Sequence, residues 1–132
     1  DHKLYGINVK LVQEITKAMS ITPVPLSPQF IHGLINLRGQ IATAVGIREL
    51  FKLQVANAEQ LRINVVCKSD GLLLSLVVDE VGDVLELDDN LFEPTPDTVN
   101  AHVGQFMTGV YKLQTTLLSV IDLQKIIIFL NQ

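Results

Sequence analysis

The chain repeats itself at a spacing of 76 residues. FIHGLINLRGQIATAVGIRELF, from Phe30 to Phe51, returns as FMTGVYKLQTTLLSVIDLQKII, from Phe106 to Ile127. The shift sets Phe30 on Phe106, Gly33 on Gly109, Leu37 on Leu113 and Ile41 on Leu117. It also sets Val45 on Ile121 and Ile47 on Leu123. Each copy reads as two apolar strands joined by a polar turn, then a short helical step. A β unit used twice, with no catalytic side chain inside it, reads as a scaffold before it reads as an enzyme.

The rest of the chain fits around these copies. Tyr5, Ile7, Val9 and Leu11 alternate like a strand, and Val12 to Ile15 continues it. Pro23, Pro25 and Pro28 interrupt regular structure, since each fixes φ and lacks an N–H. A brief helical turn is expected at Gln29 to His32. Leu34 to Leu37 and Ile41 to Val45 are expected strands around the turn Arg38-Gly39-Gln40, and Ile47 to Phe51 a single helical turn. Leu61 to Cys67 and Leu72 to Val78 form a second hairpin at Ser69-Asp70-Gly71. A further strand is expected from Asp79 to Leu87, then an acidic loop from Asp88 to Thr98. The second copy places strands at Phe106 to Leu113 and Leu117 to Ile121, with Asp122 capping a helix from Leu123 to Leu130. Strands at this spacing predict an all-β architecture. The expectation is one domain, residues 1–132, with two small barrel lobes meeting near residues 56–60 at an apolar seam.

Composition narrows the function. The chain is 48% hydrophobic and 18% charged, against about 25% charged for an average soluble protein. That leaves apolar surface for a partner as well as for a core shared by the halves. A net charge of −4 without a Lys/Arg cluster argues against a nucleic-acid binder. An oligonucleotide-binding barrel would also need an aromatic-studded basic face. The longest apolar runs are far short of a membrane span. Cys67 is the only cysteine, so no internal disulfide forms, and it reads as a buried inert thiol in a reducing cytoplasm. His2, His32 and His102 share no ligand spacing, so no metal site is expected. Asp79, Glu80 and Asp83 are the only carboxylate cluster; strand alternation puts Asp79 and Glu80 on opposite faces, so they cannot act as a pair, and the cluster reads as solvated strand-end charges. No cofactor loop is present.

Tyr5-Gly6-Ile7, Val12-Gln13-Glu14-Ile15, Gly33-Leu34-Ile35-Asn36-Leu37-Arg38-Gly39, Val77-Val78-Asp79-Glu80-Val81 and Gly109-Val110-Tyr111-Lys112-Leu113 follow one another in order. In this the chain resembles the bacterial chemotaxis coupling proteins, the CheW-like domain family, over almost its whole length. The resemblance implies two five-stranded SH3-like barrels in approximate two-fold relation, with short helices including one at the C-terminus. It implies a non-catalytic cytoplasmic adaptor, recruited to chemoreceptor arrays at the membrane. The implied partners are the cytoplasmic tip of transmembrane chemoreceptors and the regulatory domain of the chemotaxis histidine kinase, with copies of itself in rings. The alternative is the equivalent regulatory domain of a kinase, or of a coupling protein carrying a receiver domain. The implied receptor groove between the barrels draws on Val12, Glu14, Ile15, Asn36, Leu37, Arg38 and Gly39, with Leu74 and Val78 from the other lobe. An ion pair between Arg38 and Glu14 is expected at its edge. Two departures stand out. Family members carry Pro and Asp where this chain has Ala44 and Gly46, which predicts a looser strand end. Family members also have a strand before Tyr5-Gly6-Ile7, so either the gene product is longer or one barrel leaves an edge unpaired.

Overall fold

The computed structural model describes residues 4–17, 20–53 and 62–131. The first half holds β1 (Leu4–Gly6), β2 (Val12–Thr16), β3 (Ile31–Leu37), β4 (Gln40–Gly46) and the short helix α1 (Ile47–Leu50). Then come β5 (Ile63–Ser69), β6 (Leu72–Val78), β7 (Phe92–Glu93) and a one-turn helix α2 (Ala101–Gly104). The chain ends with β8 (Met107–Lys112), β9 (Leu117–Ile121) and α3 (Leu123–Leu130). It divides into two compact units, Lys10–Asp83 and Asp1–Val9 with Val84–Gln132. The expected meeting point at 56–60 lies outside the described residues.

Among the described residues the unit Lys10–Asp83 is a five-stranded sheet in the order β2-β5-β6-β4-β3. Tight hairpins join β3 to β4 and β5 to β6. Their turns, Arg38-Gly39 and Asp70-Gly71, have positive φ at both residues, the backbone that matches strand twist in a two-residue loop. Ile35, Ala42, Ala44 and Val77 pack its core, with Ile21 and Leu73 against them. One buried polar pair is satisfied internally: the Ser75 hydroxyl donates to Asn64 Oδ1 at 2.9 Å.

The other unit is a four-stranded sheet among the described residues, in the order β1-β9-β8-β7. The repeat predicted from sequence is carried into its pairing register. Ile31↔Val45, Gly33↔Ala44 and Ile35↔Ala42 become, 76 residues on, Met107↔Ile121, Gly109↔Val120 and Tyr111↔Leu118. The same bulge falls in both copies, between Ile31 and Gly33 and between Met107 and Gly109. Gly46 N–H donates to Phe30 O at 2.8 Å, and Asp122 N–H to Phe106 O at 2.8 Å. Burial is less symmetric. Phe106 is fully buried, edge-on to His102 and Phe129, whereas Phe30 is half-buried. Leu37 ends β3 in the core, while Leu113 lies one residue past β8 and is half-buried. β9 takes β1 as its parallel neighbour just as β4 takes β6. No counterpart of β5 follows among the described residues, so this sheet has four strands where the resemblance implied five.

Several local expectations change. The alternating stretch Tyr5 to Ile15 is two strands in different sheets, separated by a 3-10 turn at Val9–Leu11. Residues 29–32 are not helical: His32 lies inside β3, which begins at Ile31 after a turn closed by Ile31 N–H to Pro28 O. Asp79 to Leu87 forms no strand. Val81, Val84 and Leu85 are exposed there, so alternation had no sheet face to bury. The terminal helix is as expected, with Asp122 accepting from Lys125 N–H at 3.3 Å. The cap at Asn100, which accepts from His102 N–H at 2.8 Å, opens α2, a helix the sequence reading lacked.

Cys67 is buried in β5, and burial pushes its thiol up to about 11. A thiol alkylating reagent at neutral pH should leave native protein unmodified and label it only on unfolding; labelling of the native state at the rate of a free thiol would contradict this. The folded thiol holds its proton more tightly than the unfolded one. Its contribution to stability is therefore complete below the ordinary thiol value of 9.0 and is lost as pH rises through about 11.

Candidate partner-binding face

All the candidate residues lie in the unit Lys10–Asp83, including Leu74 and Val78, which the resemblance had assigned to the other lobe. Arg38 sits at the tip of the β3–β4 hairpin, at one edge of the sheet order, and Glu14 lies in β2, at the other edge. Three strands separate them in the sheet, yet Arg38 Nη1 donates to Glu14 Oε1 at 2.7 Å and Nη2 to Oε2 at 3.5 Å. The sheet therefore curls far enough for the Arg38 side chain at one edge to reach Glu14 at the other, forming the expected ion pair. The contact is two-pronged, the geometry a planar guanidinium and a carboxylate favour. Arg38 keeps 74% of its side chain exposed while Glu14 keeps 24%. The acid is held against the fold, and the cation is presented outward.

The other expected residues divide between surface and core. Val12, opposite Cys67 and next to a bulge before Glu14, is half-buried, as is Val78. Ile15, Asn36 and Gly39 are exposed. Leu37 and Leu74 are only 6% and 3% exposed, so neither presents a contact side chain. Leu37 shares the inward parity of Ile35, and Leu74 lies between β5 and β4 in the middle of the sheet. Leu34, Ile41 and Leu72 are exposed apolar side chains on this unit that the sequence did not single out. Ile41 is 58% exposed opposite Asn36, and Leu72 is 52% exposed. Extending the β4–β6 register by two residues from Thr43↔Leu74 sets Ile41 beside Leu72. The signal for Ile41 was present: Ala42 and Ala44, the small residues of β4, face in, so Ile41 must face out.

A second charged cluster surrounds α1. Glu49, with its side chain 8% exposed, receives His32 Nε2 at 3.0 Å and Arg62 Nη1 at 3.7 Å. Arg48 bonds Asp79 at the end of β6. An added Cβ at Gly46 would stand 2.3 Å from His32 Nε2 and 2.4 Å from Glu49 Oε1. The strand end at Gly46 is thus not looser, as its departure from the family pattern predicted. Gly46 is buried, and the space beside it is taken by the Glu49 carboxylate, which arrives from α1. Among the described residues no group of three or more His, Cys, Asp or Glu could hold a metal ion, and no helix is long and apolar enough to cross a membrane.

Comparison with known proteins agrees with this architecture. The profile of the CheW-like domain matches residues 1–129. The chain is 30% identical over 123 residues to the chemotaxis protein CheW of Klebsiella aerogenes, covering 93% of this chain and 74% of that protein. It is 27% identical over 127 residues to the chemotaxis protein CheW of Thermotoga maritima, covering 96% and 82%. The crystal structure of the scaffolding protein TtCheW from Thermoanaerobacter tengcongensis superposes with a TM-score of 0.81 at 30% identity, over 91% of this chain and 82% of that one. By its sheets, its hairpin motif and these matches, the chain belongs to the CheW-like domain family.

Proposed function

We propose that this chain is a non-catalytic coupling adaptor of a chemotaxis array, joining the cytoplasmic tip of transmembrane chemoreceptors to the regulatory domain of the chemotaxis histidine kinase. The family assignment supports the adaptor role, and the relatives named above are coupling proteins rather than kinases. The observation that carries the site is the Arg38–Glu14 clasp: an outward-facing guanidinium held at 2.7 Å, close in sequence to the exposed Ile41. An apolar side chain beside a fixed charge suits an amphipathic helix, whose residues at i, i+3 and i+4 supply apolar anchors while a polar neighbour meets the charge.

The test is binding of a receptor helical hairpin and of the kinase regulatory domain to the purified chain, with kinase activation in a reconstituted array. Arg38→Ala should shift stability by only about 0–1 kcal/mol, since the pair is largely exposed. Receptor binding should weaken about tenfold, as for a charged hydrogen bond lost at an interface. Val12→Glu, which adds a charge that docking must desolvate, should weaken receptor binding in a protein that still folds. Normal receptor affinity and normal kinase activation in both variants would remove the receptor from this face.

A further inference from the structure

The turn that presents Arg38 is held in place by its own sequence. Arg38 stands in the left-handed region at φ 51, followed by Gly39 at φ 86. That backbone suits Gly, Asn and Asp, and is costly for a long side chain. Two other hairpins serve as internal controls. The β5–β6 turn uses the same left-handed pair with Asp70 and Gly71, residue types that adopt it readily. The β8–β9 turn is the repeat's own copy. It has Lys112 in the place of Asn36 and Thr115 in the place of Gly39. Neither Gln114 nor Thr115 has positive φ, and that turn closes through Leu113 N–H to Thr116 O at 2.9 Å. In the β3–β4 turn Asn36 Oδ1 accepts the Gly39 N–H at 3.0 Å, across the tip and on the exposed side. This bond ties the strand end to the second turn residue with Arg38 between them.

We infer that Asn36 is a positioning residue: with Gly39 it holds the turn in the left-handed geometry that aims the Arg38 guanidinium at Glu14. Asn36 then serves recognition through Arg38, without itself meeting the partner. The inference takes its functional meaning from the reading that Arg38 faces a receptor, and the two can fail separately.

The test uses the full chain with Asn36→Ala and Asn36→Asp. Arg38 side-chain N–H signals are followed by NMR, and binding of a receptor helical hairpin is measured by calorimetry. In Asn36→Ala the guanidinium signals should move toward those of a free arginine and stop responding to Glu14→Gln. Binding should fall about fivefold, the scale of one hydrogen bond. Asn36→Asp keeps an acceptor for Gly39 N–H and should restore both, a rescue that mere filling of the site would not produce. Gly39→Ala is an independent route. Its added methyl meets nothing within 4 Å, so only the positive φ opposes it, and it should disturb the Arg38 signals in the same direction. Unchanged Arg38 signals in Asn36→Ala and Gly39→Ala would overturn the inference, whatever binding does. Shifted signals with unchanged binding would uphold positioning and overturn the receptor reading instead.

Discussion

Gly33→Ala should be the most damaging small substitution in the β3–β4 hairpin. Gly33 has φ 147, and a Cβ there would stand 2.2 Å from Thr22 O and 2.7 Å from Ile21 Cγ2. The obstacle is backbone: Thr22 and Leu34 exchange N–H···O bonds at 2.9 and 2.8 Å beside it. A methyl would have to break that bridge or twist β3. Strain of this kind, added to overpacking, amounts to about 3 kcal/mol, or a melting temperature lower on the order of 10 °C for a chain of this size. Gly109→Ala probes the equivalent place in the repeat. Its Cβ would meet Glu93 O and Phe92 Cζ, each at 2.5 Å. Its φ is not in the positive range, and one of the two obstacles is the outer edge of a partly exposed ring, packed edge-on against Tyr111, rather than backbone. The expected order is therefore Gly33→Ala worse than Gly109→Ala, with both worse than Arg38→Ala. Thermal unfolding followed by circular dichroism decides it; a Gly33→Ala protein that melts with the wild type would show that β3 has room for a methyl beside Thr22.

Gly46→Asp installs the side chain that the family resemblance implied at this position, and should nonetheless destabilise this chain. The new Cβ would collide with His32 Nε2 and Glu49 Oε1, and its carboxylate would crowd the one already buried there. Like charges that cannot both be neutralised, together with a broken buried pair, cost about 3 kcal/mol. Removing the competing acid should reverse most of this. In Gly46→Asp with Glu49→Ala, one carboxylate again faces His32 and Arg62, so the double variant should recover about 2 kcal/mol relative to Gly46→Asp alone. Denaturant titrations of wild type, both single variants and the double variant close the cycle. Strict additivity would mean that the two acids do not share a site.

The repeat was legible because it is local and periodic. Gly33, Val45 and their partners 76 residues on lie at matching strand positions, and a hairpin's register follows from its turn and its alternation. Asp122 was legible as a cap for the same reason, since a helix start is decided within four residues. The strand expected from Asp79 to Leu87 failed on the same logic. Alternation marks a strand only where another strand supplies hydrogen bonds, and Val81, Val84 and Leu85 found no face to bury. Leu37 and Leu74 were named for the motif and register around them, but which side of a strand faces out depends on how the whole sheet curls.

From the sequence alone came the doubled hairpin, the β class, the terminal helix and the motif that names the family. Each rests on contacts between residues close in the chain, or on a pattern copied within it. The clasp was expected from a resemblance, but its form was decided by tertiary structure. Glu14 and Arg38 meet because the sheet β2-β5-β6-β4-β3 curls enough to bring its two outer edges within reach of the Arg38 side chain. The exchange at Gly46 was decided there too. Nothing local in Gly46, His32, Glu49 and Arg62 shows that one carboxylate from α1 would fill the space beside a glycine of β4. Side chains distant in sequence share a volume only once the backbone is placed, and the free energy of burying a charge depends on which of them arrive.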